Sequence, residues 1–353
     1  MIRPLHRHAR RIASQAICGF GINHLFEQRF GGVGSVLALH RVGEVSPSQD
    51  YFSRQTNIHP DYLRRLIEFL IDRDYDIVSM TEVARRLASK NPCGRKFVCL
   101  SFDDGYRDNY EEAFPICASF NVPMVVHVTT GFVRRTDPMW WLGLEQIVVE
   151  NDVLELPWDG GIQHLPMLTP AQKHKAYVVA ANLLKTAPRQ RRRQVCEEFG
   201  AIYGISFMEL TDRNTLTPQM IREMHASGLV EFGAHTVSHA NLLRLSVTDA
   251  RAEIAEGRHD LEDLLGDEVR HFAFPYGRAG EAGLREFELC RELGFETAVT
   301  TRMGNLFPGH CDWMQTLPRL TIGGEYQNLP AAEVLLSGAF PGLRHGFRTI
   351  VTV

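Results

Sequence analysis

The sequence predicts an α/β protein whose parallel sheet closes into a distorted (β/α) barrel with a helical insertion. Three observations carry this. Apolar runs of strand length alternate with segments of helical periodicity, which is the rhythm of strand–helix–strand units. About seven such units fit along 353 residues, a length that suits one large α/β domain with insertions. Clusters of carboxylates and histidines follow directly after the apolar runs, and α/β folds gather their chemistry at the carboxyl ends of strands.

Composition narrows the class. Apolar residues make up 44% and charged residues 23%, ordinary for a globular protein. A net charge of −4 gives no attraction to nucleic acid. Seven cysteines, an odd number with no Cys-x-x-Cys pair, are expected as reduced thiols in a reducing compartment. No uninterrupted apolar run reaches about 18 residues, so no spanning helix is expected.

Residues 1–30 carry Arg3, Arg7, Arg10 and Arg11 among Ile12, Ile17, Phe20 and Leu25. Without a continuous apolar stretch this is a poor secretion signal. It is expected as a basic amphipathic segment lying on an anionic membrane surface, or as a helix packed on the barrel or a frayed end. A cytoplasmic protein, peripheral at the inner membrane face, follows as the expected location. Residues 34–42 read as a short buried strand ending in His40. Tyr62, Leu63, Leu66, Ile67 and Leu70 recur at helical spacing, 75–80 are strand-like, and a helix restarts at Thr81 as N-cap.

The apolar run 97–102 ends in Asp103, Asp104 and Gly105. Adjacent carboxylates repel each other unless a cation or a proton is shared. A solvated Asp-Asp-Gly turn has the same local sequence. A helix over 109–120 and a strand over 124–129 follow. The stretch 134–216 is an insertion: Trp140 and Trp141 open a helical pattern, 153–158 is strand-like with a hairpin turn at 159–161, and 171–184 and 188–203 are helical. The two tryptophans suit stacking on sugar rings, or anchoring of the insertion by apolar packing. The basic run 189–193 suits a solvated helix face, a phosphate or a membrane.

Thr217 and Pro218 open the next helix as N-cap and first helical residue. The strand after it leads to His235 and His239. Histidines four apart reach one metal from a helical turn or from a strand end running into a loop. With Asp104 they make a His-His-Asp set, and three protein ligands leave a coordination position for water. Residues 249–265 form a charged amphipathic helix, 269–274 a strand ending at Pro275, Tyr276 and Gly277, 284–293 a helix, 297–301 a strand and 317–322 the last strand.

Ser101-Phe102-Asp103-Asp104-Gly105 and His235-Thr236-Val237-Ser238-His239 resemble the first two motifs of the polysaccharide deacetylases, the NodB-homology (carbohydrate esterase family 4-like) family. Phe274-Pro275-Tyr276-Gly277 resembles the third, and all three occur in the family's order. The resemblance covers roughly residues 95–320 and implies a (β/α) barrel at 31–330, with the insertion at about 134–216 and a tail at 331–353. The family's late Leu-x-His motif is missing after Pro318. Leu37-Ala38-Leu39-His40 instead resembles the permuted branch, which carries that motif at the N-terminus.

The resemblance implies a metal-dependent hydrolase that removes the N-acetyl group from an amino sugar in a surface polysaccharide, a lipopolysaccharide or a lipid-linked precursor. Asp104, His235 and His239 are then the metal ligands, Asp103 the general base and His40 the general acid, with His310 and His345 as alternative acids. Tyr276, after Pro275, supplies the oxyanion contact. Arg319 takes the place of the family's arginine near the third motif, where Ala273 and Phe274 stand. Zn²⁺ suits the ligands, as do Co²⁺, Ni²⁺ and Fe²⁺. The expected partner is an N-acetylated glycan, with peripheral membrane association. Two other readings stay open: an amidohydrolase acting on a non-sugar amide, and a non-catalytic glycan-binding descendant.

Overall fold

The computed structural model describes residues 22–44, 53–89, 94–158, 160–324 and 327–352. Its strands in chain order are β1 (Gly34–Leu39), β2 (Arg41–Val42), β3 (Asn57–Ile58), β4 (Asp76–Ile77), β5 (Phe97–Phe102), β6 (Met124–Val128), β7 (Val153–Trp158), β8 (Gly161–Pro166), β9 (Val230–Ala234), β10 (His271–Ala273), β11 (Thr297–Met303) and β12 (Leu317–Thr321). An eight-stranded sheet runs β1-β12-β11-β10-β9-β6-β5-β4, and β1 also pairs with β5. That pairing closes seven strands into a ring and leaves β4 attached to the lower half of β5. Every pairing in the ring is parallel, so all its carboxyl ends open on one mouth.

The two-residue period of a strand sorts the ring's side chains. Val98, Leu100 and Phe102 face outward into the main core, with Val126, Phe232 and Phe272 from neighbouring strands and the helix residues Leu63, Leu66 and Ile254. Val36, Cys99, Val125, Ala273, Val299 and Leu317, from six different strands, cluster inside the ring. Further along, the same inward phase delivers Ser101 from β5 and Asp103 just after it, His127 from β6 and Arg319 from β12. The interior is therefore apolar below and polar toward the mouth.

The helix Pro60–Asp72 buries Tyr62, Leu63, Leu66, Ile67 and Leu70, as its periodicity predicts. The expected strand over 75–80 shrinks to Asp76–Ile77, because Ser79 and not Thr81 caps the next helix. The Ser79 hydroxyl accepts the Glu82 N–H, and the helix starts at Met80. A helix at Phe207–Asn214, unread in the sequence, completes the insertion. The insertion packs its helices and the antiparallel β7–β8 hairpin around Leu144, Leu154, Leu156, Ala180, Phe199 and Phe207, a core separate from that of the barrel. The tail boundary at 330/331 falls inside the helix Leu329–Leu336, whose Leu335 and Leu336 join the main core. At the base of the barrel, Asn305 donates to the carbonyls of Phe30 and Leu336 and ties the helix Ile22–Phe30 to this segment. Arg3, Arg7, Arg10 and Arg11 lie outside the described residues. Among those described, no helix is long and apolar enough to cross a membrane.

Candidate active site

Asp103 and Asp104 leave β5 in opposite directions, which is how adjacent carboxylates coexist here. Asp103 keeps the inward phase, and its N–H is taken by Leu39 O at 3.0 Å. Asp104 turns into the left-handed region (φ 74°) ahead of Gly105 (φ 72°). Thr236 (φ 65°), His239 (φ 55°) and Tyr276 (φ 62°) share this conformation. Each costs an L-residue roughly 1–2 kcal/mol, and their gathering after β5, β9 and β10 marks backbone shaped for ligand placement.

His235 follows β9 directly. Its Nδ1 hydrogen-bonds Ala273 O at 2.7 Å, which puts the proton on Nδ1 and leaves the Nε2 lone pair free. His235 Nε2 lies 3.4 Å and His239 Nε2 3.2 Å from Asp104 Oδ1. That oxygen is buried without a hydrogen-bond partner. One donor atom from each of the three residues falls within 4.8 Å of the others. An orphaned carboxylate oxygen facing two imidazole nitrogens fits a divalent cation held by Asp104, His235 and His239. Burial keeps His239 below the usual imidazole pKa although Asp104 opposes it, and a neutral ring is the metal-binding form.

The loop carrying the two histidines is anchored by residues the motif does not contain. Glu253, on the helix Val247–Leu265, accepts Val237 N–H at 3.1 Å, Ser238 N–H at 2.9 Å and the Ser238 hydroxyl at 2.8 Å. Arg192, from the insertion, donates to Ser238 O at 2.8 Å and to Ser238 Oγ at 3.0 Å. Thr129 holds His235 O at 3.0 Å.

Asp103 lies outside the ligand cluster. Arg319 grips both of its oxygens, Nη1 to Oδ1 at 2.8 Å and Nη2 to Oδ2 at 2.7 Å. The same guanidinium donates to Ser101 Oγ and to Thr300 O. Burial pushes the Asp103 pKa up, but the Arg319 charge and contacts from Arg319 and His127 hold it well below the usual carboxylate value. His127 Nδ1 sits 3.4 Å from Asp103 Oδ1. This histidine was missed in the sequence, although the inward phase of β6 would have found it. Gly233 makes its room, since a Cβ there would stand 2.4 Å from His127 Cδ2.

His40 continues β1 one residue past the Leu39–Phe102 register, level with Asp103, and its charge acts on Asp104. The two alternative acids turn elsewhere. His310 Nδ1 accepts the Phe307 N–H, and His345 caps the short helix Ala339–Arg344 in the C-terminal segment. Pro275 is buried at the end of β10 and bends the chain so that Gly277 N–H reaches its carbonyl at 2.7 Å. The Tyr276 ring packs edge-on to His239 at 4.7 Å, and no backbone carbonyl among the described residues accepts the Tyr276 N–H.

The insertion walls the mouth. Trp141 packs 5.0 Å from His239 and donates to the Tyr106 hydroxyl at 2.7 Å. Trp140 is buried in the insertion core, the anchoring alternative. The basic run is not a solvated face throughout. Arg189 forks onto Asp137, Arg191 pairs with Glu198 and stacks over Trp158, and Arg192 is buried.

The sequence model of the family described as Polysaccharide deacetylase matches residues 90–297. A putative polysaccharide deacetylase, YxkH, of Bacillus subtilis is 18% identical over 238 residues, 67% of this chain and 56% of that protein. A poly-beta-1,6-N-acetyl-D-glucosamine N-deacetylase of Escherichia coli is 30% identical over 89 residues, 25% of this chain and 13% of that protein. The matches thus span about half or less of these relatives. The structure of Streptococcus pyogenes deacetylase PplD in complex with acetate superposes with a TM-score of 0.57 at 18% identity, covering 86% of this chain and 96% of that one, a likeness of fold.

Proposed function

The chain belongs to the polysaccharide deacetylase family, and from that premise we propose that it is a metal-dependent hydrolase removing the N-acetyl group from an amino sugar of a glycan or glycan precursor. The observation that carries this is the buried Asp104–His235–His239 cluster beside a second, separately held carboxylate, Asp103. Asp104, His235 and His239 would hold the ion. When bound, the ion supplies Lewis-acid polarisation of the acyl oxygen and a more acidic water.

The chain's own groups do the rest. Asp103 is ionised at any working pH and takes the proton from the attacking water. Arg319 keeps that carboxylate charged and aimed. The water oxygen bonds to the acyl carbon, and the Tyr276 N–H receives the developing oxyanion. His40, as imidazolium, donates its proton to the sugar nitrogen, the C–N bond breaks, and acetate and a free amine leave. Trp141 gives the mouth an aromatic face on which a sugar ring stacks.

The test is acetate release by the purified protein from a panel of N-acetylated sugars and simple amides, with and without chelator. Release from sugars that stops on chelation and returns with Zn²⁺, Co²⁺ or Ni²⁺ supports the proposal. Release from non-sugar amides alone, or sugar binding with no release, defeats it.

A further inference from the structure

On the reading that an acetamido sugar occupies the site, we propose that the rim beside Tyr276 is a subsite for a phosphate ester carried by that sugar, formed by Lys185, Arg192, Arg244 and Arg278. Three separate segments converge there. Lys185 and Arg192 come from the insertion, Arg244 from the loop after His239, and Arg278 from the turn after Tyr276. Arg285 ties the two loops together by donating to Leu242 O at 2.7 Å and to Leu245 O at 3.0 Å.

Arg192 is 2% exposed, yet only its Nη2 is used, on Ser238. Its Nε and Nη1 have no partner among the described residues. A guanidinium cannot shed its charge when buried, so those donors are left for something else. Its two hydrogen bonds to Ser238, the residue before His239, place it at the site. Lys185 Nζ stands 4.3 Å from the centre of the Tyr276 ring. Arg244 and Arg278 are exposed, and neither side chain has a carboxylate partner among the described residues. Together with burial, their charges hold Lys185 down at about 8.

Glu253 faces Arg192 across the Ser238 hydroxyl, and a second carboxylate opposes the rest of the group. Glu281 pairs with Lys185 and accepts the Arg278 N–H. Glu286, nearby, is paired to Arg285. The surplus of cations repels itself until an anion enters. Phosphate oxygens match it, because guanidinium forks bind them in pairs while the lysine acts as a point charge.

The test uses the full chain stripped of metal with chelator, so that it depends neither on turnover nor on phosphate reaching the ion. Calorimetry compares N-acetylglucosamine, its 1-phosphate and a uronic acid. The phosphate ester is expected to bind at least tenfold more tightly than the neutral sugar, with the advantage shrinking as salt rises to about 0.5 M. Arg244→Ala with Arg278→Ala, both exposed and outside the core, is expected to erase most of that advantage. Lys185→Ala is the second variant should the double one fail to fold. Equal affinities, or a preference that survives both variants, overturn the subsite. Tighter binding of the uronic acid overturns the phosphate assignment. A preserved phosphate preference in a protein that releases no acetate supports the subsite and refutes the reaction instead.

Discussion

Arg319→Ala is the substitution whose consequences follow most directly from the structure. Arg319 is fully buried and Asp103 is 2% exposed. Two charge-assisted contacts of 2.8 and 2.7 Å join them. Removing one member of such a pair strands the other charge away from water, at a cost of about 3–5 kcal/mol. An unfolding entropy of roughly 2.1 cal/mol/K per residue, over a chain of this length, converts that to a melting point lower by about 4–7 °C. The pH dependence has a definite sign. In the native protein Asp103 is held below its unfolded value, so its contribution is present above about pH 4 and is lost as pH falls through the folded value. Without Arg319, burial dominates and raises the carboxyl pKa above the unfolded value. The variant's deficit is then largest near neutrality and narrows toward acid, where the carboxyl is neutral. Urea unfolding of metal-free protein at pH 5 and pH 8 measures this. Acetate release should lose its low-pH activity, the acid limb moving upward. Asp103→Asn with Arg319→Met should recover much of the stability and none of the activity. A single variant with unchanged stability and an unchanged pH profile would refute the coupling of Arg319 to the base.

Three further expectations follow from named contacts. His40→Ala should lower kcat for acetate release by roughly 10²–10⁴-fold, whereas alanine at His310 or His345 should not; equal losses at all three would remove His40 as the acid. Glu253→Gln keeps the size but weakens the grip on the Val237 and Ser238 amides, so metal affinity by competition with a chelator should fall about 10–100-fold; unchanged affinity would show that the loop stands without it. Trp140→Ala should destabilise by roughly 3–5 kcal/mol through its cavity in the insertion core and leave the sugar KM near wild type. Trp141→Ala should raise that KM. The reverse pattern would exchange their roles.

What the sequence made legible was periodic or contiguous. The apolar strand runs, the helix 60–72 and the doublet Asp103-Asp104 are local patterns, and the inward phase of β5 carries the doublet to the mouth with no further information. What stayed hidden depends on which strands become neighbours. His127 reads as one polar residue in an apolar strand until the ring sets β6 beside β5 and its imidazole 3.4 Å from Asp103. Arg319 is read as a charge near a strand end, but the closed ring makes it a fully buried fork on a carboxylate 216 positions earlier. The insertion is the sharper case. Its basic run looks like a solvated face because periodicity reports only a helix's own surface. Arg192 is buried because the insertion folds back over the histidine loop, a contact no local pattern encodes. Glu253 and Arg192 reach Ser238 from opposite parts of the chain, one acidic and one basic, and between them fix the residue next to His239. A motif names the atoms that do chemistry; the groups that hold them still are set by topology, and here half of that support comes from outside the barrel.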